Sequence, residues 1–194
     1  MRPVAAIVAL FGAAVISSSA QAAVSVFGNG VARTCYLYAD HGIDSYEGER
    51  ICTAALALPT LMGRDLAATY INRGVVRSNL GRYQGALDDY NHAIDLQHLL
   101  PGPDLGVAYV DRCSVLNAMG RYDEALASVN KGLSLGATRP EIAYYNRAIA
   151  EEALGNIKGA YLDYKQALAL VPDFTPASEQ LKRFHVEVKQ SGGS

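Results

Sequence analysis

The sequence predicts an all-α protein, a right-handed solenoid of stacked helical pairs that ends in a C-terminal capping helix. The first observation is the stretch at 69–96, TYINRGVVRSNLGRYQGALDDYNHAIDL, which has the pattern of two helices joined by a short turn. The second is that similar stretches recur around Gly120 and Gly155. Repetition of one helix–turn–helix unit at a nearly fixed period is typical of solenoids, in which each unit packs only on its neighbours.

The N-terminus, residues 1–22, has the pattern of a secretory signal peptide. Arg2 supplies a positive charge, residues 4–16 are apolar, and Ala20-Gln21-Ala22 matches the A-x-A cleavage pattern. The apolar run is shorter than a membrane span needs, although an uncleaved anchor is the alternative. We therefore expect an exported protein, periplasmic or secreted, with no membrane insertion after cleavage and a flexible tail at 23–30.

Residues 31–62 read as a degenerate unit, because CTAALAL at 52–58 has the pattern of YKQALAL at 164–170. In an oxidising compartment we expect a disulfide between Cys35 and Cys52, which would stabilise a unit with a weak repeat pattern. The alternative is a pair of small buried thiols. Cys113 is expected to stay a reduced, buried residue.

The three regular copies agree in register when they are aligned on their turn glycines, which stand 39 and 35 residues apart. With this glycine as position 15, tyrosine occupies position 4, arginine position 7, and small residues positions 8 and 20. These residues are Tyr70, Tyr109 and Tyr144 at position 4; Arg73, Arg112 and Arg147 at position 7; Gly74, Cys113 and Ala148 at position 8; and Ala86, Ala125 and Ala160 at position 20. Small side chains at 8 and 20 let two antiparallel helices approach closely.

This pattern resembles the tetratricopeptide repeat, a helical pair of 34 residues with small residues at positions 8, 20 and 27. The resemblance predicts repeats at 67–100, 106–139 and 141–174, with a proline- and glycine-containing loop after the first. A capping helix is predicted at 175–188, because Leu181, Phe184 and Val188 recur at helical spacing and would cover the last pair. The helical repeat domain would then span 31–189, and 190–194 would be a flexible tail.

The arginines at position 7 form a ladder along the predicted stack. One interpretation is an anion-binding stripe. The favoured one is structural, an ion pair with an acid at position 23 of the same unit, such as Asp89 or Asp163.

Chemistry-bearing motifs are absent from the sequence. The four histidines have no metal-ligand spacing, and neither a nucleotide-binding glycine motif nor a nucleophile motif occurs. A formal net charge of −2 disfavours nucleic acid as a partner. We therefore expect no enzymatic activity, no cofactor, no metal and no nucleic-acid partner.

In tetratricopeptide domains the first helix of each pair lines a concave groove, and the resemblance carries that role to the matching positions here. The predicted partner-binding residues are Ile71, Asn72, Val75, Asn79, Val110, Ser114, Tyr145, Asn146 and Ile149, and Asp111 stands between Asn72 and Asn146 at position 6. This surface is apolar with a few amides and has no lysine to hold a C-terminal carboxylate, so a peptide with apolar anchors fits better. Tyr145 is expected to face the groove while Tyr144 fills the core.

These expectations favour a non-catalytic interaction scaffold or adaptor of the cell envelope, which binds a peptide or a partner helix in the groove. The alternative function is an assembly or regulatory subunit of an envelope enzyme or secretion complex. A second open point is whether a neighbouring helix of the same chain fills the groove in place of a partner.

Overall fold

The computed structural model describes residues 4–9, 21–26, 30–42 and 46–189. Its helices are α1 (Val31–Asp40), α2 (Tyr46–Leu56), α3 (Gly63–Asn79), α4 (Tyr83–Asp95), α5 (Gly102–Ala118), α6 (Tyr122–Ser134), α7 (Pro140–Ala153), α8 (Ile157–Leu170) and α9 (Thr175–Leu181). Two strands, β1 (Val4–Ala9) and β2 (Phe184–Lys189), pair antiparallel. Successive helices pack as pairs, and each pair packs on the next. The predicted all-helical solenoid is therefore confirmed.

The turn inside each regular pair depends on its glycine. Gly81, Gly120 and Gly155 have φ angles of 72°, 73° and 84°, in the left-handed region that side-chain-bearing residues rarely adopt. The helices α3 and α5 begin four residues before the repeats predicted at 67 and 106, because the chain is already helical from Gly63 and Gly102. A short 3₁₀ helix at Gln97–Leu99 ends the first repeat, and the predicted loop after it is short because α5 already begins at Gly102.

Small residues hold the two helices of a pair close together. A Cβ added at Gly74 would lie 2.5 Å from the ring of Tyr90, and one added at Gly132 would lie 2.8 Å from the carbonyl oxygen of Gly106. Neither distance is compatible with normal packing, so glycine at these positions sets the separation of α3 from α4 and of α5 from α6.

The arginines at position 7 make hydrogen bonds within and between the repeats. This agrees with the structural interpretation of the ladder, in which each arginine pairs with position 23 of its own unit. Each donates to position 23 of its own unit and to position 25 of the preceding unit, over donor–acceptor distances of 2.6–3.2 Å. The pairs are Arg73–Asp89, Arg112–Ser128 and Arg147–Asp163 within units, and Arg73–Thr53, Arg112–Asn91 and Arg147–Asn130 between units. Each guanidinium also lies over the position-4 tyrosine of its own helix.

The degenerate unit takes its place in the same scheme. Thr53 stands at position 25 when Cys52 is aligned to position 24, so its bond to Arg73 matches that alignment. Cys35 and Cys52 form a disulfide with 4.8 Å between their Cα atoms, a separation within the usual range. Cys113 remains a buried thiol, whose pKa is raised by burial.

The C-terminal cap differs from the prediction of one helix over 175–188. The helix α9 ends at Leu181, and β2 follows from Phe184. Residues 184–189, FHVEVK, alternate apolar and polar residues, a period-2 pattern that favours a strand over the three-residue helical match. Phe184 still packs on the last pair, with its ring 5.8 Å from those of Tyr161 and Tyr164. Residues 190–194 lie outside the described part of the chain.

Candidate functional site: the groove

An extended segment of the chain, residues 21–26, lies on the face formed by α3, α5 and α7. We call this face the groove. The N-terminal pattern predicts a flexible tail at 23–30, but Ala22, Val24 and Val26 pack into the same apolar core as Ile71 and Val110. The chain itself therefore occupies the groove at α3 and α5, through an extended segment and not through the neighbouring helix of the alternative. Residues 27–29 lie outside the described part.

Backbone hydrogen bonds hold the segment at two successive units. Asn72 accepts a hydrogen bond from the Val24 nitrogen at 2.9 Å and donates one to the Val24 oxygen at 2.8 Å. Asp111, at the same position of the next unit, accepts one from the Ala22 nitrogen at 3.0 Å through Oδ1. Contacts to the backbone recognise an extended chain without selecting particular side chains.

Two further contacts fix the ends of the segment. The side-chain nitrogen of Gln21 donates to Ser78 at 2.7 Å, and a guanidinium nitrogen of Arg64 donates to the Ser25 oxygen at 2.6 Å. Arg64 also pairs with Asp104 at 2.7 Å, which links the first residues of α3 to those of α5. The segment thus runs along α3 from its C-terminal end, where Ser78 lies, to its N-terminal end, where Arg64 lies.

Side chains alternate along the segment as they do in a strand. Ala22, Val24 and Val26 are 8%, 3% and 2% exposed, whereas Ser25 is exposed and Ala23 is half-buried against the cluster that contains Val75. Two-residue periodicity places one set of side chains in the groove and the other away from it. The groove therefore accepts small or β-branched apolar residues at alternate positions of an extended chain.

Electrostatics single out Asp111 among the groove residues. Its carboxyl group is completely buried, which raises its pKa well above the ordinary range, while the hydrogen bond from Ala22 acts in the opposite direction. Asn72 and Asn146 occupy the same position in the flanking units, and both are buried. Position 6 of the three repeats thus has one ionisable group between two neutral amides.

The predicted partner-binding residues fall into two groups. Those that are buried in the structure are Ile71, Asn72, Val75, Val110, Ser114, Tyr145 and Asn146, whereas Asn79 and Ile149 are half-buried. Only Asn72 among them has a hydrogen bond to residues 21–26 in the contacts described above. Arg64 also contributes, from the first turn of α3, and no pattern in the sequence predicts this role.

The expectation that Tyr145 faces an open groove while Tyr144 fills the core is wrong. Tyr145 is 0% exposed, and its ring lies 5.8 Å from that of Tyr164 and 5.6 Å from that of Phe174. Tyr144 is only half-buried, beneath the guanidinium of Arg147. The connection between α8 and α9 supplies Phe174, which closes over position 5 of the last repeat.

Comparisons with known proteins agree with this geometry. Residues 65–135 match the tetratricopeptide repeat family model. The first such domain of human RPAP3 is 25% identical, with a TM-score of 0.56, over 62% of this chain and 90% of that one. The first repeat domain of Spaghetti, solved with the HSP90 peptide SRMEEVD, is 24% identical, with a TM-score of 0.55, over 63% of this chain and 93% of that one.

A longer match is to the Cut9–Hcn1 hetero-tetramer of the APC/C, at 20% identity and a TM-score of 0.67, over 79% of this chain and 29% of that one. No curated protein sequence matches the chain. Across the described residues, none of the helices has the length and apolar character that crossing a membrane requires.

Proposed function

Because residues 65–135 carry tetratricopeptide repeats, we propose that the protein is a non-catalytic interaction scaffold of the cell envelope that binds an extended peptide in the groove. The observation that carries this proposal is an extended segment in the groove, held at Val24 by two hydrogen bonds between its backbone and Asn72 that cleavage after Ala22 would leave in place. The segment acts as an internal ligand. A partner peptide would take its place and reproduce its contacts.

The internal ligand defines the chemistry that a partner must offer. It is extended, it presents backbone N–H and C=O groups to Asn72, and it places small apolar residues at alternate positions. The Spaghetti domain was solved with an HSP90 peptide, and a second RPAP3 repeat domain with the HSP70 peptide SGPTIEEVD. These neighbours support peptide binding as a use of the fold, while the acidic and apolar groove here favours a different peptide.

The envelope location rests on the N-terminal pattern at 1–22. Cleavage after Ala22 would leave Ala23 at the N-terminus, with Val24 and Val26 still able to reach the groove. It would also remove β1, whose residues pair with β2 along the C-terminal edge. N-terminal sequencing of the protein from its native host tests this part of the proposal: a start at or near Ala23 supports export, and an intact Met1 in the cytoplasm contradicts it.

Peptide binding can be tested by emptying the groove without altering it. In the mature chain, Val24→Gly with Val26→Gly removes the two apolar anchors of the internal ligand. A peptide with the sequence of residues 21–26, labelled at its C-terminus, should then bind this double variant and not the unaltered protein. Fluorescence anisotropy measures both.

The matched control separates recognition from general damage. Adding Asn72→Ala to the double variant should weaken peptide binding about tenfold, because two hydrogen bonds of about 0.5–1.5 kcal/mol each are lost. Adding Gln84→Ala, at an exposed residue of α4 whose amide bonds Asp88 of the same helix, should leave binding unchanged. Equal effects of the two substitutions, or no binding to the emptied groove, would contradict the proposal.

The alternative of a docked subunit predicts a different partner surface. A photo-crosslinking residue at Asn79, at the half-buried rim of the groove, should capture a partner in the envelope if the groove is the docking site. Crosslinks that form only from the opposite face, near the exposed residues of α4 and α6, would favour an assembly or regulatory subunit.

A further inference from the structure

Asp111 has a carboxylate oxygen that the described residues leave without a hydrogen bond. Oδ1 accepts from the Ala22 nitrogen, but Oδ2 has no partner among them, although the whole side chain is buried. Leaving a buried acceptor unpaired costs about 1–3 kcal/mol, and more when the group is charged. A buried carboxylate in a binding groove, with one oxygen unused, indicates a site for a cationic donor.

The neighbours of Asp111 do not supply that donor. Arg139 is the nearby cation, but its guanidinium binds Glu141 at 2.9 Å, and no ion pair to Asp111 occurs in the described part of the chain. The other groups that act on Asp111 or respond to it electrostatically are the Tyr90 hydroxyl and the Cys113 thiol, both completely buried. Neither carries a positive charge.

Comparison with Asn72 shows what an acid at this position is suited to bind. The Asn72 amide both accepts from and donates to the backbone of Val24, a residue in the interior of a chain. An ionised carboxylate can only accept. It therefore suits a group that brings donors alone, and the end of a peptide chain, the α-ammonium group with three N–H donors, is such a group.

We propose that Asp111 binds a peptide α-ammonium group, and that its occupant is the amine of Ala23, the N-terminus that cleavage after Ala22 creates. This inference rests on the export and cleavage proposed above. The Ala22 nitrogen already lies 3.0 Å from Oδ1, and the Ala23 nitrogen is the next one along the backbone. Removing Ala22 vacates its buried place beside the carboxylate, and adjacent Cα atoms are only about 3.8 Å apart. Val24 and Ser25 keep their contacts to Asn72 and Arg64.

An ion pair with the new N-terminus would explain why position 6 is an acid in the central repeat, Asp111, and an asparagine in the repeats on either side. Burying a carboxylate is unfavourable unless a hydrogen-bonded opposite charge accompanies it. In the uncleaved chain Asp111 has only a neutral N–H donor among the described residues, whereas in the mature chain it would have an ammonium group. Cleavage would thus turn a costly buried acid into half of an ion pair, and would fix the new N-terminus in the groove.

The test uses mature protein prepared to begin at Ala23. Trace labelling of its amines with acetic anhydride over a pH series, followed by mass spectrometry of the N-terminal peptide, gives the pKa of the α-amine. We expect that pKa to be at least about one pH unit above the ordinary value near 8. In Asp111→Asn it should return to about 8. The substitution keeps the side-chain shape and matches Asn72 and Asn146.

A protein that begins at Ala20 is the second comparison, and it needs no change in the groove. Its amine lies two residues beyond the Ala22 nitrogen, so its pKa should be close to 8 even if Asp111→Asn fails to fold. An Ala23 amine that titrates near 8 in the folded mature protein would overturn the inference. So would a raised value that persists in Asp111→Asn.

Stability against pH gives an independent readout with a defined sign. An amine whose pKa is raised on folding stabilises the folded state fully below its unfolded pKa near 8, and that stabilisation is lost as the pH rises through the raised value. The melting temperature of the Ala23 protein should therefore fall between about pH 8 and 10 relative to that of the Ala20 protein. These measurements involve no added peptide, so their failure would leave binding in trans untouched. Failed peptide binding would likewise leave the N-terminal pairing intact.

Discussion

Positions 6 and 7 of each repeat are neighbours in the sequence, but their side chains make opposite kinds of contact. Position 7 binds within the stack: Arg73 and Arg147 pair with acids on the second helix of their own unit. Position 6 binds the segment at 21–26: Asn72 and Asp111 contact its backbone. Successive residues of a helix point about 100° apart, so one helix can serve both faces.

The difference teaches which residues can change without loss of the fold. Contacts at position 7 join helices that are distant in sequence and are satisfied inside the stack. Contacts at position 6 join the stack to a short segment that could leave or be replaced. Substitutions at or beside position 7 should therefore affect global stability, and those at position 6 should mainly affect the occupant of the groove.

The largest effect on stability is expected at position 5 of the last repeat, which is Tyr145. Tyr145→Ala should lower the free energy of unfolding by about 3–5 kcal/mol, because it empties a buried site between Tyr164 and Phe174. Tyr144→Ala, its half-buried neighbour, should cost about 1 kcal/mol through a lost cation–π contact. Urea denaturation compares the two. A larger loss of stability for Tyr144→Ala would mean that Tyr144, and not Tyr145, faces the core from α7.

The degenerate unit replaces the arginine of position 7 with Cys35 and its disulfide. The double substitution Cys35→Ser and Cys52→Ser should lower stability by about 3 kcal/mol, the chain-entropy value for a loop of about 16 residues. Non-reduced peptide mapping should show this crosslink and a free Cys113. Three free thiols in exported protein, or a crosslink that involves Cys113, would contradict the pairing.

The stability cost of removing an arginine at position 7 should depend on whether its partner at position 23 is charged. Arg147→Ala leaves Asp163, a mostly buried acid, without its ion pair and should cost about 2–3 kcal/mol. Arg112→Ala removes a bond to neutral Ser128 and should cost about 1 kcal/mol. Thermal unfolding of both variants provides the comparison. Equal costs would mean that the charge on the partner contributes nothing.

Most of the fold could be predicted because the repeat supplies the same information three times. Glycine in each turn, small residues at position 8 and arginine at position 7 set the pairing of helices without reference to distant parts of the chain. The cap was harder, since Phe184 fits both a helical and an alternating pattern, and its partner strand β1 lies at the other end of the sequence.

The site was less predictable because its contacts are distant in sequence. The bonds from Val24 to Asn72 and from Ala22 to Asp111 span 48 and 89 residues, so no local pattern reveals them. The alternation of Ala22, Val24 and Val26 indicates a strand but not what it pairs with. Tyr145 was misplaced because Phe174, which covers it, comes from outside the repeat pattern.

The smallest effect on global stability is expected at position 6. A measurement there tests most directly whether the groove binds an extended chain through its backbone. In the mature protein, amide hydrogen exchange followed by NMR should show the Val24 amide protected at least about 100-fold, because Asn72 accepts its hydrogen bond. Asn72→Ala should remove that protection while lowering the free energy of unfolding by no more than about 1 kcal/mol. A Val24 amide that exchanges at the unprotected rate in both proteins would contradict the claim that the groove binds an extended chain through its backbone.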